Sequence, residues 1–430
     1  MTMTVESIAP TASDAERSFS DDVDDLRRKH RHLWQRTDAS LPHLGETIST
    51  FRQRENAHAA DRFTDEMEAH FRGFPNDEAG REPWRQDLRR RLRNFGTTMG
   101  MPEDQRDVVF SDDFFHVTTD FVRRARSFDR SLEIEDLFQA LRNVWIMSIL
   151  RRILGSAMAC TPSVFAYSLL YPYTDNVLDD SSRDVLDKLD VSRWLGQRLR
   201  GESVAPRDRY EADLSRLLGL IDEEYPRASF PRVWDSLLAI HRAQVRSLDQ
   251  QAPASGPGDD LLGFSIAKGG TSVLADGYLV HGDLSPEQAD FIFGFGVVLQ
   301  LLDDMQDIRT DREAGHRTIF TESVSPDATA SRLCRFMDHV LDATPLLSVQ
   351  RNQVVRKVIR THCRLLLLHA VAFHEDLYPS SFVRELECHA PFPFAFLRKR
   401  RGSVRERSRG VRKTLRRRGI DSIFDVLAGA

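Results

Sequence analysis

The sequence predicts an all-α fold, and three observations carry that reading. Apolar residues recur at three- and four-residue spacing through most of the 430 residues, alternating β-type runs are scarce, and Pro/Gly-rich loops separate the periodic segments. A hydrophobic fraction of 41% beside 29% charge allows a large core and excludes a wholly disordered chain. The four cysteines, Cys160, Cys334, Cys363 and Cys388, show no C-x-x-C spacing and read as reduced thiols.

In chain order, residues 1–20 are rich in Ser, Thr and Asp and are expected to form a mobile N-terminus. They show neither a basic n-region nor an apolar h-region, so the expected compartment is the cytoplasm. Residues 21–104 read as a helical N-terminal extension, in which DDVDDLRRKHRHLWQRTD, DRFTDEMEAHFRGF and WRQDLRRRLRNFG keep apolar residues at helical spacing. Residues 105–390 hold the longest apolar helical segments and are the expected catalytic domain. None of these segments suits a membrane span. LRNVWIMSILRRILG contains three arginines, and RLLLLHAVAF is far shorter than the roughly 20 apolar residues required.

Residues 391–430 form a basic C-terminal tail. Between Arg398 and Arg418, twelve Lys/Arg face one Glu, a local balance of +11 on a chain of net charge −5, which leaves −16 elsewhere. The tail reads first as a solvated segment and second as a peripheral contact for anionic lipid surfaces. It lacks interleaved aromatics, so no nucleic-acid partner is expected. No G-x-G-x-x-G or Walker loop supports nucleotide binding.

The acidic excess concentrates in two places. In SVFAYSLLYPYTDNVLDDSSRD, Asp175 and Asp179 are four apart and share a helical face, with Asp180 beside them and Tyr171, Ser168 and Phe165 behind them on the same face. In FIFGFGVVLQLLDDMQDIRTDREAGHRT, Asp303, Asp307 and Asp311 recur at intervals of four, Asp304 lies one residue off that line, and Gln300, Gly296 and Phe293 precede them on the stripe. An i,i+4 acid pair is ordinarily solvated surface. Two clusters that each end an apolar, aromatic-rich helix favour a hard divalent cation instead. Mg²⁺ takes oxygen ligands and is commonly held by one or two carboxylates plus substrate phosphates. The combination predicts a substrate with a diphosphate head and an apolar tail, its phosphate oxygens met by arginine forks.

YTDNVLDD resembles the first aspartate-rich motif of squalene and phytoene synthases, and LQLLDDMQDIRTDREAGHRT resembles the second motif of trans-prenyltransferases. IAKGGTSVLADG is similar to the prenyltransferase helix whose lysine contacts the diphosphate. The resemblance covers about 140–320 and implies a class I isoprenoid synthase, a helical bundle around a central cavity. Carried to this chain, it implies Asp175, Asp179 and Asp180 as metal ligands on one wall, and Asp303, Asp304 and Asp307 on the other. It further implies about three Mg²⁺ ions as cofactor. Lys268 would contact the diphosphate, with Arg142, Arg183 and Arg317 as further basic candidates. Asp175, Asp179, Asp303 and Asp307 would be the catalytic set.

Two departures narrow the activity. The G-K-x-x-R segment and the arginine pair that hold a second diphosphate in chain-elongating enzymes are absent, and so is the N-D-x-x-S-x-x-x-E motif of ordinary microbial cyclases. One diphosphate site is clearer than two. The expected function is therefore a Mg²⁺-dependent terpene synthase that ionises and cyclises farnesyl or geranylgeranyl diphosphate and releases diphosphate. The alternatives are a two-substrate prenyl synthase, head-to-head or chain-elongating, and a non-catalytic helical binding protein. A carbocation requires an apolar, water-free cavity with aromatic faces. Phe165, Tyr171, Phe264, Phe293, Gly296 and Gln300 are the expected lining, each with ordinary core packing as its competing role. Gly269 and Gly270 suggest a helix break beside Lys268. A homodimer is expected from the relatives of this fold.

Overall fold

Seven helix starts in this protein are set by side chains that satisfy otherwise orphaned backbone N–H groups. Ser18, Ser49, Asp77, Ser111, Asp208, Asp260 and Ser285 each accept from the N–H three residues ahead. At Ser285 the cap is reciprocal, with Gln288 reaching back to the Ser285 N–H and Pro286 fixing the first helical position.

The computed structural model describes residues 18–75, 77–179, 185–247 and 260–400, and among them there is no strand. The chain is all-α. In order, the helices are α1 (Phe19–Arg36), α2 (Thr50–Arg72), α3 (Glu78–Thr98), α4 (Glu103–Val109), α5 (Asp112–Phe128) and α6 (Ile134–Ile153). They continue with α7 (Pro162–Asp179), α8 (Val185–Leu199), α9 (Arg209–Glu224), α10 (Pro231–Ser247), α11 (Leu261–His281) and α12 (Pro286–Gln306). The last five are α13 (Ile308–Ala314), α14 (Pro326–Asp342), α15 (Pro345–Ser348), α16 (Gln350–Phe373) and α17 (Ser380–Glu387). No described helix is long and apolar enough to cross a membrane.

Helix α11 runs through the middle of these elements, with α1, α6, α7, α10 and α12 packed around it. Almost every residue from Gly263 to Val280 is buried, as expected of a helix that is apolar all round. On its far side, α12 carries α14 and α16. Helix α1 belongs to this body: Val23 and Trp34 join the main core, and Lys29 and His30 fasten α1 to Asp290 of α12. Helices α2 and α3 share a small separate cluster of Phe74, Trp84 and Leu88. At the start of the basic tail, Arg398 pairs with Glu375 and Arg400 with Asp61, while residues 401–430, like 1–17, lie outside the described residues. All four cysteines are unpaired, and burial pushes the thiols of Cys160, Cys334 and Cys363 up to about 12.

The α11–α12 seam corrects two sequence expectations. Gly269 and Gly270 do not break a helix, because α11 is continuous from Leu261 to His281. Nor does Gly296 open room for a ligand. A Cβ on Gly296 would fall 2.2 Å from the Gly269 carbonyl oxygen, and one on Gly269 would fall 2.5 Å from that of Gly296. The two glycines are the point where the antiparallel backbones touch. Gly270 likewise makes room for the Phe293 ring, which is fully buried and stacks on His30 at 5.6 Å. Phe165 packs against Phe121 and Phe128. Phe293 and Gly296 fill the α11–α12 seam, and Phe165 packs against rings of α5, the core-packing role that competes with cavity lining.

Glycine is not needed everywhere in this fold. Gly219, on the exposed side of α9, has nothing within 4 Å of a built Cβ. Gly219→Ala is expected to raise stability by about 0.5–1 kcal/mol, read as a higher urea midpoint at unchanged slope. An unchanged or lower midpoint would contradict this.

Candidate active site

Three stretches far apart in sequence arrive at one end of the bundle. The geometry starts from a buried polar tie in the middle of it. Asn143 of α6 donates to Asp276 of α11 at 3.2 Å and to Ser168 of α7 at 3.3 Å. One helix level away, Ser163 of α7 donates to the Leu279 carbonyl of α11 at 3.0 Å. Residue numbers thus rise on α7 as they fall on α11, so the two helices are antiparallel. Seven residues beyond Ser168 is Asp175, and eight before Asp276 is Lys268, advances of about 11 and 12 Å along their helices. The backbone of Asp175 consequently lies level with Lys268. Two further contacts steady this part of α7: the Tyr173 hydroxyl donates to Asp129 at 2.7 Å, and the Tyr210 hydroxyl donates to the Tyr173 carbonyl at 2.8 Å.

Helix α12 completes the arrangement from the other side of α11. Its seam with α11 sets Gln300 beside Gly269 and Asp304 beside Ser265. The Asp304 carboxylate is buried and accepts from the Ser265 hydroxyl at 2.6 Å and from the Gln300 amide at 2.8 Å. Burial pushes its pKa up to about 6, against the two hydrogen bonds that hold it down; Asp303 adds to the rise, and the Lys268 charge opposes it. Lys268, Gln300 and Asp304, all singled out in the sequence, are therefore one electrostatic group. Gln300 serves it as a hydrogen-bond donor to Asp304, and is half-buried.

The acids divide into two kinds. Asp303 is half-buried and Asp307 is exposed, one turn apart on the same face and at the open end of α12. They fit a hydrated divalent ion, which needs accessible carboxylate oxygens. Burial, with hydrogen bonds from Ser265 and Gln300, distinguishes Asp304 from Asp303 and Asp307 within the ligand set expected on α12. Among the described residues no three His, Cys, Asp or Glu side chains converge as a metal site. Of Asp175, Asp179 and Tyr171 only the backbone within α7 is described, and Asp180 and Arg183 lie outside the described residues.

The basic candidates are dispersed. Arg142 is exposed on α6, next to the inward-turned Asn143. Arg317 is half-buried in the loop after α13. Arg309 and Arg312 are committed to the framework, the first to Asp376 and His374, the second to the Thr321 carbonyl at 2.9 Å. Phe264 is half-buried with the Arg246 guanidinium 5.8 Å from its ring, so it sits on the α10 side of α11, away from Asp304.

The sequence reading missed Ser265, Asn143 and Asp276. For Asp276 a signal existed, a lone acid in the apolar run TSVLADGYLV. It is fully buried, its Oδ2 has no hydrogen-bond partner, and burial raises its pKa well above 3.8, opposed by the Asn143 hydrogen bond. The folded protein therefore keeps this proton where the unfolded chain releases it. The contribution is favourable below the unfolded pKa, near 3.9, and declines as pH rises toward the folded pKa, by about 1.4 kcal/mol per unit crossed. Asp276→Asn is expected to flatten the stability–pH curve between pH 5 and 8 and to be the more stable form at pH 8. Urea midpoints at both pH values read this; parallel wild-type and variant curves would refute a protonated Asp276.

Comparison of the chain with protein-family models, with curated proteins and with solved structures gives no match.

Proposed function

We propose that this chain is a Mg²⁺-dependent terpene synthase of the prenyltransferase-like type, acting on a single prenyl diphosphate. One observation supports the reading above the rest: the antiparallel registers of α7, α11 and α12 bring the Asp175 backbone, Lys268 and the Asp303–Asp307 turn to the same end of the bundle. Asp303 and Asp307 would hold metal from α12, and Asp175 and Asp179 from α7. Bound Mg²⁺ would act as a Lewis acid on the departing diphosphate. Lys268 would meet the phosphate oxygens, and Asp304, fixed by Ser265 and Gln300, would orient that lysine. Burial raises the Asp276 pKa well above 3.8, against the Asn143 hydrogen bond, so this part of the bundle interior disfavours a full negative charge.

The test is product identification from purified protein and Mg²⁺, given farnesyl or geranylgeranyl diphosphate with and without isopentenyl diphosphate. A hydrocarbon or alcohol formed from one diphosphate alone is the expected result. A product that needs isopentenyl diphosphate, or a doubled chain, would replace it with a two-substrate synthase. No product, with Mg²⁺ affinity unchanged in Asp175→Ala and Asp303→Ala, would leave a helical binding protein.

A further inference from the structure

On the opposite side of α11 from Asp304, helices α1, α10 and α11 enclose a groove of about 830 Å³. That is within the roughly 300–1,000 Å³ typical of small-molecule sites. Its shape follows from one stripe on each helix. Phe19, Val23 and Arg27 of α1 form one wall; Arg232, Asp235, Leu238, Arg242 and Arg246 of α10 form the other; Ala267 and Thr271 of α11 form the floor. Ala239, Ala243 and Ala267 hollow it, since a larger side chain at any of them would fill the space. From Arg232 to Arg246 the α10 wall is about 21 Å long. A trough so long and narrow suits an extended chain better than a compact metabolite.

Charge is distributed unevenly along it. Four arginines and two aspartates line the groove, a net +2. At one end Arg232 is engaged by Asp22 at 3.1 Å and by the Tyr278 hydroxyl; farther along the α1 wall Arg27 pairs with Asp24 at 3.0 Å. Asp235, its carboxyl pushed up by burial, faces both Arg232 and Arg242. At the other end Arg242 and Arg246, one turn apart and exposed, make no ion pair among the described residues. Apart from Ser18, Ser20 and Thr271, the remaining lining is apolar, from Phe19, Val23, Pro231, Leu238 and the three alanines.

We propose that this groove binds the phosphate monoester of a long-chain alcohol, its head on Arg242 and Arg246 and its chain along α10 toward Arg232. Two adjacent guanidinium forks match the near −2 charge and three acceptor oxygens of a phosphate monoester better than they match a carboxylate. The site is separate from the acidic cluster and does not depend on the terpene synthase reading.

Equilibrium dialysis of the full chain against oleyl phosphate, oleate, oleyl alcohol and inorganic phosphate, each below its aggregation limit, tests it. One oleyl phosphate per chain should bind, with oleate weaker and with no saturable binding of the alcohol or inorganic phosphate. Arg242→Ala with Arg246→Ala should weaken oleyl phosphate by about tenfold or more. Ala243→Trp should block it, while Asp303→Ala should leave it unchanged. Both arginines are exposed, so the double variant should retain the wild-type helical circular dichroism. Oleyl alcohol or oleate binding as tightly as the phosphate, wild-type affinity in the double variant, or loss of binding in Asp303→Ala would each overturn the proposal.

Discussion

Asp303→Ala is expected to lower kcat/KM on farnesyl or geranylgeranyl diphosphate by about 10²–10³-fold, the scale on which a single group that stabilises transition-state charge is usually felt. The expectation follows from position. Asp303 lies on the accessible face of α12 one turn from Asp307, at the end where Lys268 and the backbone of Asp175 also lie. If Asp303 is a ligand of the proposed metal centre, its loss should also raise the Mg²⁺ concentration needed for half-maximal rate. Asp304→Ala gives a contrasting case. Because it is buried and tied to Ser265 and Gln300, its removal should cost stability and rate with a smaller change in Mg²⁺ requirement. Steady-state rates across a Mg²⁺ titration separate the two. Equal Mg²⁺ shifts in both variants would make Asp304 a ligand after all, and wild-type kinetics in Asp303→Ala would remove the metal reading.

Gly296→Val should destabilise the fold by about 3 kcal/mol or more, at the upper end of what overpacking produces. The clash is with backbone, not with a side chain that can swing aside: a Cβ there meets the Gly269 carbonyl oxygen at 2.2 Å and the Val273 Cβ at 3.0 Å. Separating α11 from α12 would also part Ser265 from Asp304, so activity should fall with stability. Its urea midpoint should drop while that of Gly219→Ala rises. A Gly296→Val protein with wild-type stability would mean that the two backbones are not in contact.

Much of this fold was legible because helical periodicity and capping are local. Ser285, Pro286 and Gln288 announce the start of α12, and the apolar stretch from Phe291 to Leu302 announces its burial. The acidic turn was legible too, since Asp303 and Asp307 must share a face on any helix. What sequence did not convey is which neighbour each residue meets. Gly269 and Gly270 suggest a break and Gly296 a cavity wall, but a glycine looks the same whether it borders a ligand or a second backbone. Asp304 and Asp303 are adjacent letters with different surroundings, one buried and held by Ser265 from 39 residues away and one only half-buried. Asn143, Ser168 and Asp276 form their tie across 133 residues, a distance over which no periodicity carries information.

If these helices ionise one prenyl diphosphate with the help of Mg²⁺, they should release inorganic diphosphate from geranylgeranyl or farnesyl diphosphate with no second substrate present, a reaction that can be followed continuously. Release should rise with Mg²⁺, stop on chelation and be lost in Asp303→Ala. Wild-type protein that releases no diphosphate above the uncatalysed rate from either substrate, at any Mg²⁺ concentration, would contradict this reading.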